Sequence, residues 1–430
     1  MTTIKKSLIK FMVGSFALAC CLMMPAGTKA AVDTTANAVS PGAISVENIK
    51  KDKDEVKALE KIIDEHVIAH AYIRSERDDI NNEEYYKWSE DGHLISINLD
   101  DLYSGGEISF EGFPELEEIY CQWNDFKKID ISKNKKLIKL YCKGNELTEI
   151  DTSNNPELMV LRCPSNEIKS LDLKNNKKLI TLGAKWNNLS TIDVSNNTYL
   201  KKLYLKNNEI TAIDLKNNTM LEKLTLSHNK LKQIDLSNNT GLKRINCGHN
   251  QLTKLDLSNN TLIERVKCRS NAITDLILKG CSNLKDMGCS YNKIQNIDLK
   301  DTVKLKYLVA GENEIENIDL SNCSLLREID FRNNKLTTID VSSHRNLYSI
   351  NVSNNKLTLL DVTNCKKLIR LYCSNNKLTG KLDLSKTTIL GYADCWKNNL
   401  QAIDITGCTN LVDDEEYYNI NYDKGVTIIK

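Results

Sequence analysis

The chain of 430 residues carries 58 Lys and Arg against 57 Asp and Glu, a net charge of +1, which argues against a generally basic nucleic-acid binder. Hydrophobic residues at 41% and charged residues at 27% are ordinary for a soluble protein and argue against both a disordered chain and a polytopic membrane protein. The 14 cysteines stand out, and their meaning turns on compartment: disulfides outside a cell, metal or redox chemistry inside one.

Lys5, Lys6 and Lys10 precede an apolar stretch from Phe11 to Met24, and Pro25 to Ala30 ends with small residues at its last and third-last places. This layout predicts a secretory signal peptide over residues 1–30, cut near Ala30. The apolar run is short of the ~20 residues a bilayer span needs; a lipoprotein modified at Cys20 or Cys21 is the alternative. Cleavage removes four lysines and no acids, leaving 54 basic against 57 acidic residues, a net charge of −3, and 12 cysteines. Residues 31–48 read as a flexible linker. A helical N-terminal cap is expected over 49–92, where Val56, Leu59, Ile62, Ile63 and Val67 recur at helical spacing. With Tyr85, Tyr86, Trp88 and the strand-like Leu94 to Ile97, it would cover the open N-terminal end of a repeat array.

From Leu116 to about Leu411 a unit of 21 residues recurs fourteen times, each copy with its asparagine, from Asn124 through Asn145 and Asn166 to Asn398. One extra residue enters near Gly380. The pattern L-x-x-L-x-(L/C)-x-x-N-x-L resembles a leucine-rich repeat. Each copy holds too little apolar surface to bury a core alone, so copies must stack and share one. The expected fold is an α/β solenoid, a leucine-rich-repeat horseshoe over 93–411 with a parallel β-sheet on its concave side. Twenty-one residues leave no room for a long return helix, so the convex side is expected to be extended or 3₁₀. Residues 412–430 would close the far end, with Val426 to Ile429 as a final strand.

The asparagines are expected to be buried, their amides satisfying backbone groups of their own and adjacent turns. An aspartate column, Asp130 through Asp404, is present in 13 of the 14 copies, with Ile277 the exception. Each carboxylate is expected to accept from its own following turn; calcium along the column is the alternative. Eight cysteines share the third apolar place (Cys121, Cys142, Cys163, Cys247, Cys268, Cys289, Cys373, Cys395), where other copies place Ala184, Leu205, Leu226, Ala310, Phe331 and Val352. Interchange with Leu and Phe marks a packing role and not a ligand or nucleophile. Cys281, Cys323, Cys365 and Cys408 share a second place in alternate copies, on the order of 9.6 Å apart from a strand spacing of ~4.8 Å, beyond the ~7 Å limit for a disulfide. A ladder of reduced, buried thiols is therefore expected.

The cysteine-bearing 21-residue repeat, the leader and the helical cap together resemble the cysteine-ladder, internalin J-like branch of the bacterial internalin leucine-rich-repeat family, over roughly residues 54–430. The resemblance implies a secreted or surface protein that binds a host or neighbouring macromolecule through its concave face. A sorting motif, hydrophobic tail or wall-binding repeat is not seen after the array, so free secretion is the expectation.

Outward positions on the strands of copies two to eight hold 11 cations among 21 residues and no acid. Lys139, Tyr141, Lys143, Arg162, Lys185, Lys202, Tyr204, Lys206, Lys223, Arg244, Arg265, Lys267 and Arg269 form this basic stripe. Beyond it Tyr372, Tyr392 and Trp396 mark a mixed, aromatic end. Clustered cations steer acidic partners, and Arg and aromatic residues dominate interface energies. The expected partner is an acidic protein or an anionic polysaccharide, with no nucleic acid and no membrane span after cleavage, bound by a monomer. The bland alternative is that strand lysines serve solubility. No phosphate loop, nucleophile elbow or zinc-protease motif occurs, so a non-catalytic protein without cofactor is expected. His66 with His70, and His228 with His249, are the only histidine pairs spaced to share a metal.

Overall fold

The computed structural model describes residues 49–67, 77–411, 413–414 and 417–430. The signal peptide and linker expected over 1–48, and His70, lie outside the described residues. Among those described, no helix is long and apolar enough to cross a membrane.

The chain winds into a solenoid. Most turns contribute a three-residue strand whose middle side chain is buried, such as Lys139–Tyr141 with Leu140 inside. Most strands pair in parallel with the one 21 residues on, as Leu140 with Leu161 and Leu224 with Ile245. Sixteen parallel strands run from Leu94–Asn98 to Ile420–Asn421, and Tyr86–Trp88 adds an antiparallel seventeenth at the N-terminal end. A single hydrophobic core runs through all turns, so no turn is stable without its neighbours. This is the leucine-rich-repeat horseshoe, with its sheet on the concave side. The extra residue near Gly380 is absorbed away from that sheet. Concave strands Arg370–Tyr372 and Tyr392–Asp394 stay in register, while a bulge forms between Gly380 and Lys381 on the opposite side, where Gly380 has φ +72°.

Helix α1, Lys53–His66, packs at the N-terminal end. Asp52 caps it, accepting from the N–H groups of Asp54 and Glu55 at 2.9 and 3.1 Å, and Leu59, Ile62 and Ile63 face the core. Buried Glu55 accepts from the Leu94 N–H at 2.6 Å and pairs with His93 at 2.8 Å, tying the helix to the first parallel strand. His66 is a core residue, hydrogen-bonded to the Ser104 hydroxyl at 2.9 Å and set edge-on to Phe126.

The motif asparagines join turn to turn. Asn145 donates through Nδ2 to the carbonyls of Cys121 (2.8 Å) and Cys142 (3.1 Å), and its Oδ1 accepts from the Phe126 N–H at 3.1 Å. The arrangement repeats as far as Asn398. On the convex side the 3₁₀-type bonds stay isolated as successive β-turns, for example Asn134 N–H to Ile131 C=O and Leu137 N–H to Asn134 C=O, both 3.1 Å. The aspartates open these turns: the carboxylate of Asp193 accepts from the Ser195 N–H at 2.9 Å, which holds it below the usual carboxylate range. All 13 aspartates of the column accept in this way.

A second buried column went unnoticed in the sequence. Asn134, Asn155, Asn176, Asn197, Asn218, Asn239 and Asn260 are fully buried, and the next seven turns place Cys281, Thr302, Cys323, His344, Cys365, Thr387 and Cys408 there. All serve the same purpose, donating to carbonyls of the same or preceding turn: Asn218 to Val194 and Asn197, His344 to Leu320, the Cys365 thiol to Val341. The four alternating cysteines are thus donors in a position built for an amide.

The 12 cysteines among the described residues are all free and buried. Burial pushes the thiols of Cys163, Cys247 and Cys289 up to about 12, so the reactive thiolate is absent at neutral pH. A thiol reagent should therefore find none of the 12 in the native protein and all 12 in denaturant without reductant; a shortfall after unfolding would mean disulfides.

In the buried asparagine column the Oδ1 atoms of Asn134, Asn155, Asn197, Asn218, Asn239 and Asn260 are buried without a partner, whereas Asn176 Oδ1 accepts from the Thr152 hydroxyl at 2.7 Å. Val194 stands to Asn218 as Thr152 stands to Asn176. Val194→Thr should accordingly be neutral or stabilising, and Thr152→Val should cost about 1 kcal/mol or more by orphaning an acceptor. Denaturant unfolding measures both, and a loss from Val194→Thr equal to that from Thr152→Val rejects the pairing.

Candidate functional site

The sheet sets outward side chains in columns, one residue per turn. Along the second column come Tyr120, Tyr141, Arg162 and Tyr204; along the next come Lys143, Lys185 and Lys206. A fourth column, the residue before each motif asparagine, is left-handed in every turn. Its φ lies between +53° and +59° at every non-glycine position from Trp123 to Lys397, with Gly144 at +67°. Left-handed backbone costs an ordinary residue roughly 1–2 kcal/mol, met here by the N–H bonds that clamp the corner, such as Trp123 to Lys143 C=O at 2.7 Å and Trp186 to Lys206 C=O at 2.8 Å.

This corner turns side chains outward at the rim of the sheet. Trp123, Trp186 and Tyr291 are 37%, 51% and 42% exposed despite their size. At position 144 a Cβ would stand 2.5 Å from the Trp123 ring, so a larger residue there would have to displace that exposed ring. Cations from the third column lie over these rings: Lys143 over Trp123 at 4.2 Å, Lys206 over Trp186 at 5.7 Å, Arg269 over Tyr291 at 4.7 Å. In the second column Tyr120 stacks on Tyr141 at 4.9 Å, Arg162 lies over Tyr141 at 5.7 Å, and Lys185 over Tyr204 at 4.7 Å. Such contacts hold long cationic side chains in place at about 0.5–1 kcal/mol each on an exposed surface.

Lys143, Arg162, Lys185 and Lys206 form the electrostatic centre. Lys185 is shifted down from the ordinary lysine value, first by burial and then by the charges of Lys206, Arg162 and Lys143. No carboxylate forms an ion pair with any of the four among the described residues, in contrast to Lys139 and Arg265; Lys202, Lys223, Arg244, Lys267 and Arg269 form none either, but only the four sit together around Lys185. Lys139 pairs with Glu118 at 2.6 Å, and Arg265 with Asp286 at 2.9 Å, from strands just outside the span counted as free of acids. Lys202, Lys223, Arg244 and Lys267 lie on the same sheet face farther along or at its near edge, where Glu222 and Glu264 pair with Lys243 and Lys285.

Tyr372 and Tyr392 pack at 5.1 Å beside exposed Trp396, but eight strands beyond Lys202–Tyr204. At ~4.8 Å per strand that is about 38 Å along the sheet, so they form a separate cluster. His228 and His249 are stacked ring on ring, centroids 4.1 Å apart and 11° from parallel. Burial and neighbouring positive groups, Lys206 among them, hold both below the ordinary imidazole value. Among the described residues no group of three or more His, Cys, Asp or Glu side chains could hold a metal. The rim aromatics Trp123, Trp186 and Tyr291 were missed in the sequence; their signal was the same 21-residue period, one position before each asparagine.

No protein-family model matches the sequence, and no curated protein matches it. Solved structures do. The functional domain of internalin J from Listeria monocytogenes, which includes a cysteine ladder, is 24% identical over 73% of this chain and 74% of its own, with a TM-score of 0.59. Internalin F from Listeria monocytogenes is 25% identical over 78% of this chain and 98% of its own, TM-score 0.58. The leucine-rich effector YopM from Yersinia pestis is 19% identical over 86% and 99%, TM-score 0.64. The chain has the leucine-rich-repeat fold, a parallel solenoid of about 16 turns, and its buried cysteines fit a cysteine ladder.

Proposed function

We propose that this chain is a secreted or cell-surface leucine-rich-repeat binding protein, non-catalytic, that recognises an acidic protein or an anionic polysaccharide on a host or neighbouring cell. The observation that carries this is the cluster of Lys143, Arg162, Lys185 and Lys206, four cations without carboxylate partners, held against aromatic rings on a rigid sheet. Preorganised charge costs little to order on binding, and like charges at close quarters are relieved by an anion. The leader over residues 1–30 supports export, and the likeness to internalins supports a binding scaffold. A second reading, a secreted inhibitor or effector that binds an enzyme through the same face, is favoured by the likeness to a leucine-rich effector.

The test is an array of glycans and surface proteins probed with residues 31–430 at low and high salt. Acidic partners should be captured and then released as salt screens the face. Reversal of Lys143, Lys185 and Lys206 to Glu should abolish capture, whereas reversal of Arg265, Lys267 and Arg269 should weaken it less because Arg265 is already paired. Capture that survives both high salt and the first reversal sinks the proposal, and a captured enzyme selects the second reading.

A further inference from the structure

We infer that the ligand of this face is a linear anionic polysaccharide lying across the strands, along the solenoid axis, over the band from Trp123 to Lys206. The inference rests on the anion-recognising reading of the face and narrows its partner class. Three features of the band distinguish a polysaccharide from an acidic protein.

The first is periodicity. Lys143, Arg162, Lys185 and Lys206 come one per turn in four consecutive turns, the three lysines from one column and Arg162 from the column beside it, Pro164 holding the lysines' place in its turn. With ~4.8 Å between strands, the cations repeat along the axis at close to the length of one pyranose in an extended chain. A uniform polyanion can match such a ladder at every turn, whereas a folded protein seldom presents acids at one fixed spacing.

The second is what accompanies the charge. Trp123 and Trp186 stand at the rim with more than a third of their surface exposed, beside the cations that lie over their rings. Pyranose rings present C–H faces that stack on such rings while their carboxylates or sulfates reach the adjacent cations. Both tryptophans sit on clamped left-handed corners, so they are in place before the ligand arrives.

The third is what the band lacks. Cores of protein interfaces are depleted in lysine and rest on apolar anchors seated in pockets. Here lysines stand at the centre; among the described residues Val160 and Pro164 are the non-aromatic apolar side chains at the outward strand positions of these turns, and Ile138, Met159 and Ile180 are half-buried one place before the strands. Affinity of this composition comes from displaced counterions and stacking, spread over several turns.

The experiment uses the mature chain, residues 31–430, with size-graded oligogalacturonates as the glycan probe, poly-L-glutamate as the acidic-protein probe and neutral dextran as control. Oligogalacturonate affinity should rise with length until the chain covers the band, about 19 Å at the strand spacing, and then level off. Trp123→Asn with Trp186→Asn uses a residue this corner already accepts at positions 207, 333, 354 and 375. It should lower oligogalacturonate affinity about tenfold and poly-L-glutamate affinity by clearly less, since the acidic peptide loses only the rings' hold on Lys143 and Lys206. Native thiol burial confirms that the variant is folded. Lys185→Glu with Lys206→Glu should abolish binding of both anions. Equal or tighter binding of poly-L-glutamate, or a tryptophan variant that binds the sugars normally, overturns the polysaccharide assignment and leaves the acidic-partner reading standing. Failure of every polyanion at low salt overturns both.

Discussion

The interaction on which this molecule depends is the hydrogen bonding of one buried asparagine amide per turn. A 21-residue turn has no room for a helix on its return path, so the backbone leaving each strand has no regular ladder to enter. The amide at positions such as 145 supplies the missing partners, two donors to carbonyls and one acceptor to an N–H of the preceding turn. Water cannot reach these groups, and each would cost about 1–3 kcal/mol if left unpaired. The bond also sets the pitch, since it can form only when successive turns are in register.

Fixing that corner has effects on both sides of the solenoid. Toward the concave rim it forces the preceding residue into the left-handed region and throws its side chain outward, which places Trp123 and Trp186 beside Lys143 and Lys206. Toward the convex side the chain is handed to a pair of β-turns, opened by an aspartate and anchored by the second buried column. That column changes character midway along the molecule. Seven asparagines give strong donors but leave most of their carbonyl oxygens without partners, and the cysteines, threonines and histidine of the later turns give weaker donors and no stranded acceptor.

The turn, its inward positions, the asparagine and aspartate columns and the buried thiols were legible in the sequence because each repeats at one period and answers to one local rule. Lys139 and Arg265 show what was not. Their partners, Glu118 and Asp286, lie one strand away, and a count of charges that stops between copies cannot see across that boundary. The cysteines at 281, 323, 365 and 408 looked like a sparse thiol column because the residues alternating with them are Thr and His; only the shared task of donating to carbonyls reveals them as heirs of Asn260 and its predecessors. The rim aromatics escaped because nothing in a period says that a residue beside a recurring amide points to solvent. That is a consequence of positive φ, which is visible only in three dimensions.

The left-handed corner demands of its occupant only that the backbone tolerate the turn, and in fourteen turns it is filled by Trp, Gly, Ser, Asn, His, Tyr, Glu and Lys. Core and pitch are maintained by other residues. Each turn therefore offers one outward letter that can be rewritten singly, without repacking anything beneath it. A lineage carrying this scaffold can retune what its rim meets by point changes alone, keeping the architecture constant while the chemistry of the surface drifts from partner to partner.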